Sequence, residues 1–304
     1  MNLYKYYYKD YFLCEEQCKL PEGKPKNNER NNQQTYKKIK PDFSFLWKEE
    51  EKEIEKINKQ NEARIKEANR KILNVPFTKP SESVDWVNST LCYKVLYPGL
   101  VTGIGIEHEA NIKGEFKLGI HLDYLTGMPI IYGSTVKGIL RSAFEDPQYI
   151  HDLLKKHNIR ELDREAMLRD IFDGEELQNI NEPMKNESYK SKPIYQRDIF
   201  FDAVITQADS KGHVLYADSI TPHKNPLRDP NPIPFIKIAP GCILEFRFHL
   251  VNSKLLTACE KLQLFKDILC DWGIGAKRNV GYGNLVFKEE KIICEKADDT
   301  QTAE

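Results

Sequence analysis

Gly273-Ile274-Gly275-Ala276-Lys277-Arg278-Asn279-Val280-Gly281-Tyr282-Gly283 joins two regular patterns near the end of a 304-residue chain. Before it, Leu255, Leu256, Cys259, Leu262, Phe265, Ile268 and Leu269 recur at helical spacing. After it, residues 284–294 read as a strand. A helix, a glycine turn and a strand form the closing half of a split βαβ unit. Working outward, residues 233–238 and 242–251 read as a strand pair turned at Pro240-Gly241, and residues 199–206 and 214–220 as further strands. Residues 134–144, 149–156 and 163–172 read as helices, and 173–194 as a long polar loop. Residues 97–106 and 116–122 supply the first strands. The order β, α, β, β, α, β, with extra strands between, is the α+β ferredoxin-like (RRM-like) plan.

The glycine run also carries chemistry. Glycine admits positive φ and lets a backbone approach a ligand closely. Successive exposed N–H groups in such turns make a concave anion site. Lys277 and Arg278 add full charges, and Tyr282 offers a ring, so a nucleic-acid backbone is the leading partner; a plain turn is the alternative. On this reading Gly275, Gly281 and Gly283 let the backbone come close, and Tyr282 stacks on a base or packs beneath the loop.

Composition bounds the possibilities. The net charge is -1 and 40% of residues are hydrophobic, so a basic surface must be local. The 7 cysteines are scattered; Cys14 and Cys18 have no second pair at metal spacing, which argues against zinc and against a disulfide framework. Reduced thiols in a cytoplasmic protein fit best. The N-terminus lacks the apolar core of a signal peptide, and no window is apolar enough to span a membrane, so no membrane partner is expected.

Residues 1–90 read as an N-terminal extension and residues 91–304 as the compact domain. Up to about Lys40 the chain is rich in Asn, Lys, Gln, Glu and Tyr, a flexible lead-in whose Tyr4, Tyr6, Tyr7, Tyr8 and Tyr11 dock on the chain's own body or on a partner. A charged helix follows over residues 45–73. Its thin stripe of Ile54, Ile57, Asn61, Ile65, Ala68 and Ile72 predicts packing by one edge, and Pro76 and Pro80 end it.

A second constellation runs from Gly127 to Arg141. Pro129 and Gly133 fix a turn, Ser134 is placed to N-cap the next helix, and Lys137 and Arg141 share one face while Ile139, Leu140 and Phe144 face the core. A capped N-terminus below a basic face suits phosphate. In the third, Asp218 and Thr221-Pro222 lead to His223, a candidate base, ligand or stacking ring. Asp202 and Asp218 are expected to cap loops, with cation binding as the alternative. No nucleophile elbow, P-loop or dinucleotide fingerprint is present. A metal-independent RNase remains as the enzymatic alternative, with Glu107, His108, His121 and Asp123 as candidate acids or bases.

Taken in order, Gly103-Ile104-Gly105, Gly127-x-Pro129, Gly133-Ser134-x-x-Lys137-Gly138-x-x-Arg141, Phe201-Asp202-Ala203, Asp218-x-x-Thr221-Pro222-His223, Pro234-Phe235 and the GIGAKRNVGYG run resemble the RAMP superfamily of CRISPR proteins. Within it they resemble the sixth-subunit group of the type III-B (Cmr) RNA-guided effector complexes. The resemblance spans residues 97–287. Tyr132 stands where a proline is common. The resemblance implies a non-catalytic CRISPR RNA-binding subunit in antiviral defence, near the guide 3′ end, without cofactor or metal. Implied partners are the guide RNA, the guide–target duplex, the repeated backbone subunit and a neighbouring terminal RAMP subunit. Implied RNA contacts are Ser134, Lys137, Arg141, His223, Gly275, Lys277, Arg278, Gly281, Tyr282 and Gly283. The alternative within the superfamily is an endoribonuclease that processes guide RNA or cleaves target RNA.

Overall fold

A computed structural model describes residues 44–80, 85–102, 112–117, 120–177, 189–221 and 232–292, with side chains from residue 54 onward. The tyrosine-rich lead-in, Cys14, Cys18, Gly103, Gly105, Glu107, His108 and His223 lie outside the described residues.

The closing unit forms as its sequence dictates. Helix α5 (Ala258–Trp272) starts at Thr257, whose hydroxyl accepts from Glu260 N while the Glu260 carboxylate takes the Thr257 N–H, a reciprocal cap. Its apolar positions Leu262, Phe265, Ile268 and Leu269 are buried. Strand β10 (Leu285–Ile292) follows the glycine run and pairs antiparallel with β1 (Ser89–Val95). β1 pairs in turn with β9 (Ile243–His249), and β9 with β6 (Ala203–Gln207). The order β10-β1-β9-β6 is the split βαβ sheet, with the short β2 (Ile130–Ile131) added beside β6 and β5 (Ile199–Phe200) beside β9. The expected β, α, β, β, α, β order is therefore present.

Helix α2 (Gly133–Ala143) packs beside α5 on one face of this sheet. Tyr93, Phe246, Phe248 and Phe265 are fully buried between the layers. The Tyr93 phenol donates to Lys266 O at 3.0 Å, which satisfies its one polar atom inside the core. Burial of each such ring contributes roughly 2–3 kcal/mol. Helix α3 (Pro147–Lys156) and helix α4 (Arg164–Leu168), which continues as a wider turn to Asp173, cover the outer side. Aspartates cap both: Asp146 accepts from Tyr149 N and Asp163 from Ala166 N.

Several expectations are corrected. The first strand is Ser89–Val95; of the expected strand 97–106 only 97–102 are described, where Leu96 to Gly99 form a tight turn and Leu100 and Val101 make isolated bridges. Among the described residues of 116–122, the bridge is at Leu122, to Pro129. Residues 199–206 form two strands broken at Phe201-Asp202. The 173–194 segment contains the small antiparallel pair β3 (Glu175–Leu177) and β4 (Tyr189–Ser191). β8 (Ile233–Ile238) and β9 are not a hairpin across Pro240-Gly241. β8 pairs with β7 (Leu215–Ile220) in a separate sheet, while β9 sits centrally in the main one.

Helix α1 (Ser44–Leu73) is packed by one edge, as its stripe predicts. Asn61, Ile65, Ala68 and Ile72 are buried, whereas Ile54 is exposed. The docked half lies against β7, and Asn69 Nδ2 donates to Gly114 O.

Candidate nucleic-acid interface

The glycine run is built as a closed loop between α5 and β10. Gly273 leaves the helix at φ 62°, and Ile274, fully buried, donates its N–H to Gly283 O at 3.0 Å. Gly283 N donates to Gly99 O at 2.9 Å, and Ala276 N to Val101 O at 2.8 Å. A Cβ at Gly283 would fall on Ile274 O, and one at Gly275 on Val101 O. Both glycines also have positive φ. Their freedom is used for close approach to this chain's own backbone, which gives the need for glycine at both positions a reason within the fold.

The tip is different. Lys277 is left-handed (φ 61°), Arg278–Val280 make one tight turn, and Gly281 returns the chain at φ 94°. Val280 N and Tyr282 N both point back to Lys277 O. The N–H groups of Gly275, Lys277, Arg278 and Asn279 have no acceptor among the described residues. A left-handed residue followed by a right-handed turn is the arrangement that makes consecutive N–H groups converge on an anion. The Lys277 side chain has no carboxylate partner among the described residues, and Arg278 is exposed, with Nη1 donating to Trp272 O at 3.0 Å.

Beneath the tip, Tyr282 is buried rather than free to stack on a base. Its ring meets Phe235 edge-on with centroids 5.8 Å apart, and its phenol donates to Asp218 Oδ2 at 2.7 Å. Lys237 donates to the same oxygen and lies over the Tyr282 ring. Burial, then the Asp218 hydrogen bond, pushes the Tyr282 phenol up to about 12. Burial opposes ionisation of Asp218, but the bonds from Lys237 and Tyr282 outweigh it and hold its carboxyl below the usual range. Asp218 thus ties the loop to β7 and β8.

The Gly127–Arg141 constellation is placed elsewhere. Ser134 is not the N-cap; Tyr132 occupies that position without a side-chain cap, and Ser134 is exposed in the first turn. Capping comes across the sheet edge, where Gly133 N donates to Asp202 Oδ1 at 2.7 Å. Gly133 lies so close to Phe200 O that no larger residue fits. The expectation of a capping role for Asp202 holds. Arg141 is engaged by both Asp173 oxygens, a carboxylate in the place proposed for phosphate. Lys137 reaches over the Phe200 ring at 5.9 Å. The start of α2 sits beside β6 and β2, at one edge of the sheet; the glycine loop joins β10 beside β1, at the other. β1 and β9 lie between β10 and β6 in the sheet.

The candidate acids and bases fare unevenly. Asp123 closes its own turn by accepting from Thr126 N and Oγ1. His121 stacks on Tyr132 with centroids 4.2 Å apart, its Nδ1 buried without a partner among the described residues, and burial lowers its pKa against the pull of Asp202. Among the described residues no cluster of His, Cys, Asp and Glu could hold a metal ion, and no helix is long and apolar enough to cross a membrane. The thiols of Cys92 and Cys242 are free and buried, and burial pushes them up to about 11 and about 12, so they are unreactive.

Sequence reasoning missed a buried charge network. Lys261 is wholly enclosed on the inner side of α5; its ammonium donates to Asp198 Oδ2 at 2.7 Å and Val251 O at 2.9 Å, and Asp170 and Lys192 form an adjoining pair. A lysine within an amphipathic pattern carries no mark of burial; only Asp198, 63 positions away, reveals it.

A split βαβ sheet closed through a glycine loop after its second helix defines a ferredoxin-like α+β domain. The RAMP superfamily profile matches residues 92–286, and the chain belongs to that superfamily. Among solved structures, it is similar to a chain of a type III-B Cmr-beta complex determined by cryo-electron microscopy bound to cognate target RNA, at 22% identity and TM-score 0.46. That likeness covers 67% of this chain and 60% of that one. It is also similar to Cmr6 from Pyrococcus furiosus, at 20% identity and TM-score 0.34, over 66% of this chain and 99% of that one. No curated protein matches the sequence.

Proposed function

We propose that this RAMP protein is a non-catalytic RNA-binding subunit of a type III-B (Cmr) CRISPR effector, holding the guide near its 3′ end through the tip of the glycine loop. The observation that carries the reading is the set of N–H groups of Gly275, Lys277, Arg278 and Asn279, which have no acceptor among the described residues, beside the Lys277 and Arg278 side chains. Phosphate satisfies both the dipoles and the charges. Such contacts are indifferent to base identity, as suits a subunit of a complex in which guide pairing reads sequence. Exposed Ser134 and half-buried Lys137 give a second, weaker contact to a strand long enough to cross the sheet. His223 and the neighbouring RAMP subunits complete the proposed interface, in the cytoplasm, without metal or cofactor.

Guide retention by the reconstituted complex tests this. With Lys277→Ala and Arg278→Ala together, affinity falls at least tenfold and the slope of log affinity against log salt drops by about two. Unchanged retention and slope overturn the reading. The ribonuclease alternative rests on His121, whose burial keeps the ring neutral and able to accept a proton. Site-specific cleavage of repeat or target RNA, lost in His121→Ala, would establish it.

A further inference from the structure

The stacking ring expected at Tyr282 is absent from the surface, yet another aromatic lies beside the loop tip. Tyr97 is 83% exposed, the largest exposure among the exposed large hydrophobic residues described. It belongs to the turn closed by Gly99 N donating to Leu96 O at 2.8 Å. That turn is fastened to the glycine loop on both sides: Gly99 O accepts from Gly283 N, and Leu96 N donates to Asn284 O at 3.0 Å. Pro98 packs against Gly281, with 3.7 Å between its Cδ and the site of a Cβ there. The phenol of Tyr97 is near enough to Tyr282 to help raise its pKa.

We infer that Tyr97 is the stacking face for one unpaired base of the RNA strand whose phosphates lie on the Lys277–Asn279 tip. The inference rests on the RNA-binding reading above. A solvent-facing phenol is a poor feature for stability alone, since its ring gains nothing from burial. Beside fixed cations and unpaired N–H groups it completes a different set. Single-stranded RNA offers a phosphate and a planar base within one nucleotide, and sequence-tolerant binding uses such rings. On the faces of the central strands β1 and β9 turned away from the helices, Thr90, Cys92, Lys94, Glu245 and Arg247 supply no ring, and His249 at the end of β9 is held by Trp86, with 2.9 Å from its Nδ1 to Trp86 O and ring centroids 6.1 Å apart. Stacking in the manner of an aromatic RRM face falls to a loop residue. An acidic peptide would use the cations but has no need of the ring.

The test uses the full chain at low salt with two probes of equal length, a short oligouridine and its abasic ribose-phosphate counterpart. The wild type prefers oligouridine by about tenfold, within the range of one base–aromatic stack. Tyr97→Leu, apolar but without a π face, abolishes the preference and leaves abasic binding unchanged; Tyr97→Trp restores or enlarges it. The double variant Lys277→Ala, Arg278→Ala weakens both probes alike. If Tyr97→Leu keeps the preference while the double variant still weakens both probes, stacking by Tyr97 is wrong and the RNA reading stands. If the double variant changes neither probe, or a polyglutamate peptide displaces RNA at equal charge concentration, the RNA reading itself falls and the inference with it.

Discussion

The Tyr282 phenol lies 2.7 Å from Asp218 Oδ2, joining residues 64 positions apart and fixing the base of the glycine loop to the β7–β8 pair. Tyr282→Phe removes that bond but keeps the ring packed on Phe235. Stability falls by about 1–2 kcal/mol, seen as a lower urea midpoint at unchanged slope, while RNA affinity stays within twofold. A large affinity loss at unchanged stability would return Tyr282 to the binding surface.

The same pair predicts an alkaline limit. The folded phenol titrates near 12 against about 10 in the unfolded chain. A raised folded value gives stability that is complete below pH ~10 and lost as pH climbs toward 12. Asp218 has the opposite sign: its lowered carboxyl contributes fully above pH ~4 and loses its part only as pH falls further. Thermal scans from pH 9 to 12 show the alkaline decline in wild type, and a shallower one in Tyr282→Phe.

Glycines of the two motifs separate by geometry. Gly283→Ala drives a Cβ into Ile274 O at a positive φ and costs several kcal/mol, enough to abolish cooperative melting or lower Tm by more than 10 °C. Gly138→Ala meets nothing within 4 Å on the exposed side of α2 and raises stability by about 0.5–1 kcal/mol. Equal effects of the two substitutions on Tm would refute this account.

Lys277 is a cation at a left-handed position that glycine occupies without strain. Lys277→Gly therefore holds or raises stability, by up to about 1 kcal/mol, while RNA affinity drops. Measuring both in one variant separates the charge from the backbone; an unchanged affinity would leave Lys277 without a ligand.

Breaking one partner of the enclosed pair is the severe change. Asp198→Ala leaves the enclosed Lys261 ammonium only the longer carboxylate contact to Asp170 at 3.6 Å and costs about 3 kcal/mol, whereas Lys261→Met together with Asp198→Leu is much milder. Chemical denaturation of both variants checks the difference.

Much of this architecture was legible beforehand because periodicity is local. α2, α3, α5, β7 and β10 follow from apolar spacing within their own segments, and the one-edge docking of α1 from its thin stripe. β1 escaped because its burial does not alternate cleanly; Cys92 and its neighbours on both sides are all buried. The false β8–β9 hairpin came from Pro240-Gly241, which turns the chain without pairing the strands it joins. Partner choice depends on residues far away, as with Asp202 on Gly133 and Asp198 on Lys261. At the site, the cations and the need for glycine were readable. Whether a glycine faced a ligand or Val101 O, and which tyrosine faced water, depended on the turn at Leu96–Gly99.

Because the loop is fastened at Gly99, Val101 and Asp218 before any ligand arrives, its tip has little freedom left to lose on complex formation. Capture of a strand then requires no prior folding step in the protein, and differences in affinity among tip variants should emerge in how long the strand remains rather than in how fast it arrives.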